Sequence, residues 1–273
     1  MRLQHAVETA RRRFLATQPF ERFDVAVLLR DRDGSWRRAA VGGERLAYPA
    51  SCVKLGYLVA AVHWCAEQGR EPDCLDAFAR PMIVESNDVA TGEIVDRISG
   101  APNRDLPAGA APDEPAFASL HARGYAERVL AGARRTRRPA ADAQDLSDNS
   151  GEEPRGFEQL ARERAGRNAM SPLLAAELLR GVVEGRIEPQ ATSYMRALLR
   201  RERFSAQGSF AAGLPPGAIV ENKVGVAYDT LEDIARLRLP NGRERSSPRS
   251  PTAGTSANPN PGTCCASAAS PRN

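Results

Sequence analysis

Ser51 and Lys54 stand three residues apart in the stretch YPASCVKLGYLVAAV (48–62), and Lys54 is one of only two lysines among 38 basic residues. Arginine stays protonated in proteins, whereas a buried lysine can lose its proton and act as a base. Residues at i and i+3 share a helix face, so a helix starting near Ser51 would let its hydroxyl and the Lys54 amine meet. A hydroxyl beside an amine of lowered pKa is one way to make a nucleophile. Two plainer readings stand beside this one: Lys54 as a surface lysine on a helix, and Ser51 as the N-cap of that helix. An N-terminal position would also place the Ser51 hydroxyl in the positive field of the helix, which favours a developing oxyanion.

The second lysine, Lys223, stands in ENKVGV (221–226). In a chain this biased toward arginine, each lysine marks a place where a compact or titratable ammonium is preferred. Between them lies MIVESNDVATGEIVDRISG (82–100), with Ser86-Asn87-Asp88 just before an apolar run. Taken alone, that triplet reads as an ordinary helix N-cap.

The elements that must position these residues follow from periodicity and turn signals. A helix is expected over 3–17, and a hairpin over 23–31 and 35–41 around Asp33-Gly34. A helix from Ser51 to Gly69 is apolar on nearly every side and must be buried. Further helices are expected at 74–84, 88–98, 116–132, 172–184 and 188–200, with loops at 100–115 and 134–157. Strand signals return only at 217–226 and 233–239. Strands therefore open and close the chain while helices fill its middle, which implies an α/β (α+β) fold. Its antiparallel sheet is built from both ends of the chain (1–50 and 210–240), flanked by helices, with a helical lobe over 51–209.

From Asn241 onward there is no large apolar residue, so 241–273 reads as a disordered low-complexity tail after a domain spanning 1–240. The five cysteines (52, 65, 74, 264 and 265) form neither a zinc-ligand pattern nor a disulfide framework. No metal and no cofactor is expected. The net charge is a mild +4, and the basic run RRTRR (134–138) is followed by an acidic stretch without interleaved aromatics, which argues against nucleic-acid binding. No run of 18 apolar residues could span a membrane, and the N-terminus as written lacks the apolar core of a signal peptide.

Taken in order, SCVK (51–54), SND (86–88) and KVG (223–225) resemble the S-x-x-K, S-D-N and K-T-G motifs of the penicillin-recognising serine enzymes, specifically the class A β-lactamase-like family. RNAMSPLLAAELLRGVVEG (167–185) resembles the stretch after that family's omega loop, and residues 220–243 resemble its closing strand pair. The resemblance covers about residues 20–243, with 100–160 poorly matched. It implies a five-stranded antiparallel sheet with a helical lobe, although the tail suggests that the last strand and the C-terminal helix are lacking. It implies Ser51 as acylated nucleophile, Lys54 as its base, Ser86 as proton relay to the leaving nitrogen, and Lys223 as electrostatic anchor. Asp88, Val224, Gly225 and Val226 would contact substrate, with the backbone N–H groups of Ser51 and Val226 as oxyanion hole and Gly225 allowing close approach. A monomer acting on a small-molecule or peptide substrate, of β-lactam or D-alanyl type, is implied, in a family usually periplasmic or secreted.

Three departures bear on activity. Asp88 stands where the family has asparagine, and an ionised carboxylate has no N–H to donate. Val224 replaces a hydroxyl residue, and the segment between Ser51 and Ser86 is short. The omega-loop candidates Glu152, Glu153, Glu158 and Glu163 lack the family's E-x-x-x-N spacing, so deacylation is expected to be slow. The alternatives are a D,D-peptidase or esterase with the same Ser–Lys pair, or a non-catalytic ligand-binding or scaffold descendant of the fold.

Overall fold

Antiparallel pairing joins the two ends of the chain into one sheet. The structure, a computed structural model, describes residues 2–18, 20–100, 126, 129–130, 168–200, 214–227 and 230–240, and the backbone of 244–253. Helix α1 (Arg2–Thr17) leads into strands β1 (Phe20–Arg30) and β2 (Trp36–Val41). Their turn closes where the Asp31 N–H donates to Ser35 O (2.8 Å), with Gly34 supplying φ +85° at its tip. A 3₁₀ turn (Ala50–Val53) and α2 (Lys54–Glu67) follow, then α3 (Asp76–Val84) and α4 (Asp88–Ser99). Beyond them come α5 (Pro172–Val183), α6 (Thr192–Leu199), and strands β3 (Ile219–Ala227), β4 (Thr230–Arg238) and β5 (Glu244–Ala253). The sheet order is β2-β1-β5-β4-β3, with every neighbour antiparallel.

The expected loss of the last strand is not what the structure shows. Glu244–Ala253 fills the central slot, with Val25 opposite Arg249 on one side and Asp233 opposite Arg249 on the other. Two unpaired edges in the middle of a sheet recruit any extended backbone. Composition alone therefore misjudged 244–253 as tail. The expected lack of a C-terminal helix concerns residues outside the described ones, where most of the helix expected at 116–132 and the tail beyond 253 also lie.

Helix α2 is the centre of the larger core. Leu55, Tyr57, Leu58, Val59 and Val62 are buried on successive faces against Met82 and Ile83 of α3, Ile94 of α4, Leu178 of α5 and Ile234 of β4. Burial on all sides explains why this helix carries no polar stripe. A smaller cluster sets Val7 of α1 on Phe23, Val25 and Ala39, with the Phe14 ring stacked 4.5 Å from Phe23. One cysteine expectation is overturned: Cys65 and Cys74 form a disulfide, tying the end of α2 to the loop before α3. The odd cysteine count hid this local pair. Among the described residues, no helix is long and apolar enough to cross a membrane.

Candidate active site

The Ser51 hydroxyl does not cap α2. Ser51 lies inside the 3₁₀ turn, the helix begins at Lys54, and its N-cap residue, Val53, makes no side-chain cap bond. The turn is strained instead: Ala50, just before Ser51, holds φ +45°, a region that non-glycine residues enter at a cost of about 1–3 kcal/mol. Strand β3 lies against this turn. A Cβ at Gly225 would sit 2.7 Å from Pro49 O, 2.9 Å from Cys52 N and 3.0 Å from Ser51 N, all of them backbone atoms. Only glycine lets the strand come this close. The Cys52 thiol donates to Lys223 O (3.1 Å) and fastens the same two elements together. Burial pushes the pKa of that thiol well above its ordinary range, which keeps Cys52 in its unreactive protonated form. Gly225→Ala is accordingly expected to force β3 off the turn and to destabilise the protein by about 1–3 kcal/mol, measured by thermal or urea unfolding.

The two lysines converge on one hydroxyl. Lys223 Nζ donates to Ser86 Oγ at 2.9 Å and Lys54 Nζ to the same oxygen at 3.3 Å. Lys223 Nζ also donates to Val224 O (2.7 Å), and Lys54 Nζ to Ser86 O (2.6 Å). Both lysines are almost fully buried, at 1% and 2% exposure. Ser86 reaches them because its own backbone is at φ +60°, the second strained residue of the site. Asn87, rather than Ser86 or Asp88, caps α4: its side-chain oxygen accepts from Ala90 N–H (2.8 Å). That frees both neighbours to face the lysines.

Asp88 is the partner that sequence reading missed. Its carboxylate forms an ion pair with Lys54 Nζ through Oδ1, so the residue expected to touch substrate is also bound to the expected base. Among the described residues, the bonds of Lys54 Nζ run to Ser86 and Asp88 and none runs to Ser51. Burial lowers the Lys54 pKa, while the hydrogen bond and charge of Asp88 oppose that shift. A spacing signal for this contact existed: Asp88 opens α4 only two residues after Ser86.

Strand β3 itself is pinned by buried polar pairs. Glu221 accepts from Arg196 Nε (3.0 Å) and from Arg236 NH1 (2.7 Å), and Asn222 Nδ2 donates to Asp233 Oδ1 (3.0 Å). Val224 is half-buried, Gly225 buried, and the Val226 side chain exposed beyond the turn. Glu152, Glu153, Glu158 and Glu163 lie outside the described residues.

Known proteins share the sequence pattern of this family and its fold. The model of the family described as "Beta-lactamase enzyme family" matches residues 68–245. The crystal structure of the TLA-1 extended-spectrum β-lactamase superposes with a TM-score of 0.66 at 11% identity, covering 93% of this chain and 92% of that one. PBP-A gives a TM-score of 0.61 at 18% identity over 90% of this chain and 87% of that one. A β-lactamase from Chitinophaga pinensis gives 0.63 at 13% identity, covering 93% of each. Golvesin of Dictyostelium discoideum is 31% identical over 230 residues; the match takes in 83% of this chain but only 39% of golvesin's length. With the family model spanning well over half of the sequence and the fold shared across nearly all of it, the chain belongs to the β-lactamase enzyme family.

Proposed function

We propose that this chain is a serine acyl hydrolase that forms an ester on Ser51 with a β-lactam or D-alanyl-type amide and releases it slowly. The observation that carries this reading is the convergence of the only two lysines in the chain on Ser86 Oγ, beside the Ser51 turn. Ser51 Oγ attacks the substrate carbonyl while neutral Lys54 takes its proton. The backbone N–H groups of Ser51 and Val226 receive the developing oxyanion. The C–N bond then breaks as the proton passes through Ser86 to the leaving nitrogen, with the Lys223 ammonium steadying the relay. Lys54 acts in its neutral form, which burial favours and the Asp88 charge opposes. Deacylation is slow because no omega-loop glutamate has the family's spacing to asparagine. Loss of such a base costs about 10²–10⁴-fold.

A structure of a PBP-A variant carrying penicillin G as an acyl-enzyme shares the fold, with a TM-score of 0.62 at 18% identity, and supplies the probe. A fluorescent penicillin is expected to label the protein, with the adduct on the peptide containing Ser51 and a lifetime of minutes or longer. Mapping to any other residue would remove Ser51 as nucleophile. The Lys54–Asp88 ion pair favours one second reading, a ligand-binding descendant without turnover. Reversible binding of penicillin with no covalent adduct would select it.

A further inference from the structure

A second polar site lies at the far end of the sheet. Arg30 of β1, Arg236 and Arg238 of β4, Arg196 of α6 and Arg186, just after α5, surround a cavity of about 610 Å³. Arg238 is six residues along β4 from Glu232, the register partner of Gly225, which puts the cavity roughly 20 Å from the Ser51 turn at strand spacing.

Three of the five guanidinium groups are held in place. Glu184 binds Arg186 Nε (2.9 Å), and it also accepts from Trp36 Nε1 (2.5 Å) while Arg180 lies 4.9 Å over the Trp36 ring. Glu221 binds both Arg196 and Arg236. Arg30 and Arg238 are exposed at the rim, and among the described residues neither has a carboxylate partner. The backbone register sets Glu244 between them, opposite both. Among the described residues, the five guanidinium groups face three carboxylates, Glu177, Glu184 and Glu221. The excess positive charge is concentrated on planar forks that match phosphate oxygens two at a time.

We infer that this cavity is a binding site for a condensed phosphate, the diphosphate unit of a free anion or of a nucleotide. Its volume falls within the range of small-molecule sites. Buried Arg236 and half-buried Arg196 form its floor, and the exposed Arg30, Arg186 and Arg238 close on the ligand around it. A carboxylate or sulfate of similar size fills fewer of the forks and binds more weakly.

The test is titration calorimetry of the full chain with inorganic pyrophosphate, sulfate and ADP at matched ionic strength. Pyrophosphate is expected to bind at least tenfold more tightly than sulfate. The double variant Arg30→Gln/Arg238→Gln, changed only at exposed rim positions, is expected to lose tenfold or more of that affinity while its penicillin acylation rate stays as in the parent. ADP binding as tightly as pyrophosphate assigns the site to a nucleotide diphosphate; ADP binding more weakly assigns it to the free anion. Equal affinity for pyrophosphate and sulfate, or undiminished pyrophosphate binding in the double variant, overturns the inference.

Discussion

Asp88→Asn is expected to speed acylation of Ser51 by penicillin about 10- to 100-fold at neutral pH. On the proposed mechanism Lys54 works only as a free amine, and burial already lowers its pKa. The Asp88 hydrogen bond and charge both act the other way, holding the proton on. An opposite charge in contact is worth about 1–3 pKa units, and each unit changes the neutral fraction tenfold below the pKa. Asparagine keeps an oxygen that accepts from Lys54 Nζ but removes the charge, so burial acts nearly alone and the pKa falls further. The rising limb of the acylation–pH profile then moves to lower pH, and the two proteins converge at high pH, where both amines are neutral. Second-order acylation rates across the pH range check this. A profile that stays in place, or moves to higher pH, would show that the ion pair does not restrain the base.

Lys54→Arg is expected to slow acylation about 10²–10⁴-fold, nearly as much as Lys54→Ala. The guanidinium preserves the positive charge but does not give up its proton. It must also enter a space where Ser86 O, Ser86 Oγ and Asp88 Oδ1 surround one compact ammonium at 1% exposure. The variant separates a chemical role from a structural one. Charge pairing with Asp88 survives in arginine and is lost in alanine, so the two should differ in melting temperature while sharing the loss of rate and of the rising pH limb. An arginine variant with the parental rate and profile would take Lys54 out of proton transfer altogether.

Much of this architecture was legible because local chemistry and tertiary packing agree. The helix expected at 172–184 is found at Pro172–Val183, where Ser171 Oγ accepts from Leu174 N–H and proline occupies the first turn. The hairpin around Asp33-Gly34 and the buried helix after Ser51 follow from turn chemistry and apolar content in the same way. The lysine pair was legible through composition alone, since arginine elsewhere made each lysine conspicuous. What escaped depends on approach in three dimensions. Ser51 reads as a cap by type but sits in a strained turn before the helix. Asp88 reads as a substrate contact by position, yet the lysine 34 residues earlier reaches it first. Cys65 and Cys74 gave no framework signal, because a sequence separation of nine between two elements of one lobe suffices to join them. Strand β5 ran against its own composition: a central slot imposed extension on residues that by type avoid it.

That slot divides the molecule in a way that contact energies alone do not convey. The β1–β2 and β3–β4 hairpins never pair with each other; ERSSPRSPTA is the seam between them. Pro248 faces Ile234 across the β4 ladder and Pro251 faces Phe23 across that of β1, and each lacks an N–H to give. With no apolar alternation in its sequence, the seam carries no code distinguishing one register from a neighbouring one. The sheet is therefore two well-specified halves joined by an unspecified one. The half that carries Lys223 and Gly225 takes its bearing on Ser51 from the Gly225 contact and the Cys52–Lys223 bond, not from continuity with the N-terminal strands.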